Sequence, residues 1–175
     1  MISNSNKIKE PGLNILPLGV ERYVVNGGGL TGIQILPDDE IEIINNEGNQ
    51  ICEISVFNKD GKSELAILGL KEIKDNSEIK KILFKKNETS LQALLQLKKR
   101  NLNIEKSKSS LVFDKETKAG ESIKLKSKDK CYCIIAAPGK EMMIHEQNPS
   151  TEITVMVKRA VVKKDKEFSI IPDPV

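Results

Sequence analysis

Residues 38–61 read DDEIEIINNEGNQICEISVFNKDG, and the order of apolar and polar side chains in this stretch decides the fold class. Ile41 and Ile43 alternate with Glu40 and Glu42. Beyond the polar turn Asn45-Asn46-Glu47-Gly48, Cys52, Ile54 and Val56 alternate with Glu53 and Ser55. A period of two marks a half-buried strand, because successive side chains of an extended chain point to opposite faces. Two such runs across a glycine-bearing turn read as a β-hairpin, closed by Asn58-Lys59-Asp60-Gly61. In that reading Glu53 and Ser55 lie on the solvated face, and Asn49 and Gln50 satisfy backbone groups in the turn.

Working outward, residues 20–25 and 30–36 read as strands separated by Asn26-Gly27-Gly28-Gly29, where three glycines permit positive φ and offer no side chain to pack. An apolar run at 65–70 suggests another strand. Further strands are expected at 111–113, 122–125, 131–137 and 151–162; the continuous apolar run 131–137 is expected to be the most buried. Between Ser77 and Arg100 the apolar spacing changes to three and four residues, through Ile79, Ile82, Leu83, Leu91, Leu94 and Leu95. That spacing predicts two helices, with Ser77 capping the first and Thr89 or Ser90 the second. Seven to eight short, mostly antiparallel strands with a helical insertion at 76–101 predict a mainly β fold, barrel-like or sandwich, over a single domain spanning 1–175. Residues 1–18 and 167–175 read as extended arms, the latter because Pro172 and Pro174 forbid a helix.

Composition narrows the function classes. Arg22, Arg100 and Arg159 are the only arginines among 28 basic residues, and the net charge is only +3. Lysine is a hydrated point charge without the bidentate fork that reads phosphates and base edges, and stacking aromatics are few, so nucleic acid is not an expected partner. No apolar run approaches a membrane span and the polar start lacks the core of a signal peptide, so a cytoplasmic protein with reduced Cys52, Cys131 and Cys133 is expected.

Few residues are equipped for chemistry. The chain has one histidine, His145, and lacks the nucleophile elbow, the Walker loop and the His-Glu-x-x-His motif. Glu47, Asn49, Gln50 and Glu53 gather acceptors and amides at one turn, a set suited to a small amine or amide ligand, with His145 the further candidate. Cys131, Cys133 and His145 can be drawn as a zinc site, but a two-residue step inside an apolar strand favours buried thiols acting as small hydrophobes. Neither a metal nor a cofactor is expected.

The segment Glu47-Gly48-Asn49-Gln50-Ile51-Cys52-Glu53 resembles the urea-carboxylase-associated family. A broader likeness runs through Gly27-Gly28-Gly29, residues 47–57, Ile135-Ala136-Ala137-Pro138-Gly139, residues 149–160 and Pro172-Asp173-Pro174. It is to the amino-terminal extension of glycine-cleavage-T-like aminomethyltransferases. The resemblance implies a β-rich accessory domain, for ligand binding or assembly, tied to folate-linked one-carbon metabolism and not catalytic alone. Its partner would be an aminomethyltransferase catalytic domain or further copies of itself. The alternative is a metal-assisted hydrolase or deiminase of urea-like or guanidino compounds, using Glu53, Cys131, Cys133 and His145.

Overall fold

The computed structural model describes residues 16–72, 77–139 and 149–161. Among these residues eight strands form: β1 Val20–Val25, β2 Leu30–Ile35, β3 Glu40–Asn45, β4 Cys52–Asn58, β5 Ser110–Phe113, β6 Glu121–Lys126, β7 Cys131–Ala136 and β8 Ile153–Lys158. They make two four-stranded antiparallel sheets. Sheet A has the order β1-β8-β3-β6 and sheet B the order β2-β7-β4-β5. No described strand pairs from one sheet to the other, so the fold is a sandwich and not a closed barrel.

The alternation in the sequence becomes two separate apolar layers. Ile41, Ile43, Val155 and Val157 of sheet A face Cys52, Ile54, Val56, Cys133 and Ile135 of sheet B across the main core. On the far side of sheet B, Phe57, Ile134 and Ala136 meet Ile79, Leu83 and Leu97 in a second layer. The helical insertion supplies that cover, through α1 Glu78–Leu83 and α2 Glu88–Lys99. With about 1.5–3 kcal/mol for each large aliphatic side chain removed from water, two layers suffice for a chain with so few rings.

Four sequence expectations change. β3 and β4 are not a hairpin: β3 pairs with β6 and β8 while β4 pairs with β5 and β7, so the intervening turn carries the chain from one sheet to the other. Both arms point apolar side chains inward, which alternation alone reports identically for a hairpin and for an arch across a core. The run at 65–70 is a 3-10 helix, Leu65–Leu68, stopped by Gly69 at φ 69°. Asn87, not Thr89 or Ser90, caps α2, its side chain accepting from the Ser90 amide. β4 has the longest buried run, Cys52 to Phe57, against the expectation for 131–137, because helices cover its outer face.

Candidate functional site

The arch between β3 and β4 is built by its own side chains. Asn45 donates from Nδ2 to the Gln50 carbonyl at 2.8 Å and accepts from the Gly48 amide at 3.0 Å. Gly48 has φ 77°, and a Cβ there would sit 2.6 Å from the Ala119 amide nitrogen, so only glycine fits. Glu47 and Asn49 are exposed at the bend, where Asn49 takes φ 55°.

Gln50 is buried and spans long range. Its Nε2 donates to the Ile51 carbonyl at 2.8 Å and to the Pro138 carbonyl at 2.9 Å, while its Oε1 accepts from the Thr151 amide at 2.8 Å. One carboxamide therefore joins both flanks of residues 139–150. The glycine turn packs on the same place. The Gly28 amide donates to Ala137, and a Cβ on Gly27 would lie 2.5 Å from the Ser150 carbonyl oxygen. Close approach of backbone uses these glycines. His145, Met142 and Met143 lie outside the described residues.

Glu53 serves a different element. Only 5% exposed, it accepts from the Glu78 amide at the start of α1 at 2.8 Å and from the Ser109 hydroxyl in a very short contact. The expected solvated face of Glu53 and Ser55 is thus buried, because the helical insertion lies over it. Gln50 and Glu53 have internal partners, and Glu47 and Asn49 face solvent.

The metal-assisted alternative meets a geometric obstacle. Cys131 and Cys133 point into the main core, whereas Glu53 lies on the opposite face of sheet B toward α1. Among the described residues no group of three or more His, Cys, Asp or Glu is placed to hold a metal ion. The two thiols are 3.8 Å apart. The hydrogen bond with Cys131, then burial, pushes the Cys133 thiol well up; the bond with Cys133 draws Cys131 down. Burial pushes Cys52 up to about 12.

Two features escape sequence reading. The first is a charge cluster: Arg159 forks onto Glu21 at 3.0 and 2.7 Å, reaches Asp39 at 2.7 Å and donates to the Gln34 carbonyl. These residues are up to 138 positions apart, so no local pattern announces them. The Arg159 hydrogen bond lowers the pKa of Glu21 against the opposing effect of burial. Burial raises that of Asp39, but amides of Ala160 and Leu36 together with Arg159 outweigh it.

The second is a groove of about 600 Å³ on the outer face of sheet A. Register places Glu40 opposite Lys126 and Lys158, and Glu42 opposite Lys124 and Met156. Apolar side chains on this face come from Val20 and Met156, whereas Ile41 and Leu125 turn toward the main core. Carboxylates and ammonium groups thus share this face with two apolar side chains.

These features define a β-sandwich module with a helical layer and a charged groove. No family model matches the chain. The trimethylamine-oxide aldolase of Ruegeria pomeroyi is 33% identical to it over 168 residues, which cover 95% of this chain and 21% of the relative. The chain therefore spans about a fifth of that relative's length. This match overturns the functional expectations drawn from resemblance: the relative is named for an amine oxide, and neither the aminomethyltransferase accessory role nor the urea-like or guanidino hydrolase has support.

Proposed function

We propose that this chain forms a β-sandwich module of an enzyme acting on trimethylamine oxide or a closely similar methylated amine oxide. The observation that carries the reading is the 33% identity to trimethylamine-oxide aldolase across 95% of the chain. The outer groove of sheet A supports it chemically. An amine oxide bears positive charge on nitrogen and negative charge on oxygen within a small apolar shell. Lys124, Lys126 or Lys158 suits the oxygen, Glu40 and Glu42 suit the methylated nitrogen, and Val20 and Met156 suit the methyl groups. Gln50 and Glu53 then act as positioning residues for the chain segments they join.

Aldehyde release from trimethylamine oxide by the intact gene product tests the enzymatic reading, and no release above the uncatalysed rate overturns it. The groove is tested separately by amide NMR titration of this chain. Saturable shifts confined to β3, β6 and β8 are expected with trimethylamine oxide, and none with the uncharged isostere tert-butanol. Glu42→Gln should weaken binding at least about threefold, the scale of one exposed charge interaction. Identical responses to both compounds would remove the groove from the proposal.

A further inference from the structure

A second recess, of about 250 Å³, lies on the other side of the molecule, where β2, β7, the turn after β4 and the end of α2 meet. Its charged lining is entirely basic: Lys59, Arg100 and Lys130, from three separate segments, beside the amides of Gln34 and Asn58. Among the described residues none of these three cations makes an ion pair, in contrast to Arg159 with its two carboxylates. Two acids border the lining without pairing with these cations. Asp129 accepts from the Lys130 backbone amide at 2.7 Å, and Glu64 accepts from Asn58 Nδ2 at 2.9 Å.

The floor of the recess holds the arginine in place. The Arg100 guanidinium stands 4.5 Å from the centre of the Tyr132 ring. Tyr132 in turn lies over Gly32, where any Cβ would collide with the phenol, so the order Gly32, Tyr132, Arg100 is a stack built on the outer face of sheet B. A guanidinium ordered on a ring loses less freedom when it binds, and no described hydrogen bond or ion pair uses its side-chain donors.

From this geometry we infer that the recess is a binding site for a small organic anion, recognised through a phosphate or carboxylate group. Arg100 supplies a planar fork, and Lys59 and Lys130 supply flanking charge. Three like charges gathered in one concavity repel one another, and an oxyanion relieves that repulsion. The volume exceeds that of a bare oxyanion and leaves room for a short substituent against Leu102 and Tyr132. The inference does not depend on the amine-oxide reading.

The test is titration of the purified chain with inorganic phosphate and, separately, with malonate, at constant ionic strength. Amide NMR reports the site, and tyrosine emission adds a second readout: the protein has no Trp and only two Tyr, so Tyr23→Phe isolates Tyr132. Saturable shifts at residues 58–60, 100–102 and 130–132 are expected, weakened by added salt. Arg100→Met should weaken binding about tenfold or more, Lys59→Met or Lys130→Met about threefold, and the distant Lys115→Met not at all. Response to phosphate alone or malonate alone identifies which group the site takes. No saturable change with either anion, or an undiminished response in folded Arg100→Met, overturns the inference.

Discussion

Gln50 is the residue on which the most backbone depends. Its amide holds Pro138 and Thr151, 88 and 101 positions away, so Gln50→Leu keeps the volume but strands a buried amide and two carbonyls. A loss of about 2–4 kcal/mol is expected from urea unfolding, since each unsatisfied buried group costs about 1–3. A loss below that of an ordinary surface substitution would show that water replaces the latch. Arg159 makes a prediction in pH. Glu21 and Asp39 have folded pKa values below their ordinary 4.5 and 3.8, so their contribution is present above those values and lost as pH falls through them and below. The difference in urea midpoint between the wild type and Arg159→Met should be widest near neutral pH and narrow on acidification below this range; a constant gap would contradict the assignment. Sequence alone marked Gln50 and Glu53 as notable polar residues at a turn. Their roles were illegible because the partners that define them, Pro138, Thr151, Glu78 and Ser109, lie far along the chain.

At the scale of elements, strand positions follow from side-chain alternation, and six-residue strands such as β2, β3 and β8 fall where that alternation is clear. Pairing does not follow from it. The same inward faces on β3 and β4 satisfy a hairpin or an arch, and only the partners each strand pairs with distinguish them. The helix cap is another near miss, since Asn87, Thr89 and Ser90 are all competent by type. Asn87→Ala should cost about 1 kcal/mol by thermal or urea unfolding, whereas Thr89→Ala should change stability little. Equal effects of the two substitutions would place the cap elsewhere. Glu53 and Ser55 obey the period of two, yet that period says only that they face away from the main core, not that water lies beyond them.

At the largest scale, the described residues form three layers: sheet A, sheet B and the helices over sheet B's outer face. Its thiols report on that stacking. Cys52 and Cys133 are fully buried with raised pKa values, so a thiol reagent should reach them only through opening of the fold, at rates that fall as stability rises. Cys131 is 3% exposed, and its hydrogen bond with Cys133 lowers its pKa, so it should label first, and Cys131→Ser should remove that fast phase. Labelling of Cys52 as fast as Cys131 would mean that the core is not closed. The mainly β class and the helical insertion were legible in the sequence; the layering was not, because it depends on which sheet each strand joins.

The arch between β3 and β4 has a consequence for how the protein is made. Strands β1 to β4 find no partner among themselves: β1 joins β8, β2 joins β7, β3 joins β6 and β8, and β4 joins β5 and β7. A nascent chain leaving the ribosome therefore exposes its first half with no local ladder to close, and neither sheet completes until β7 and β8 emerge. Synthesis stalled before residue 153 would leave β3 without its neighbour in the centre of sheet A, a product for chaperones and proteases rather than a smaller folded domain.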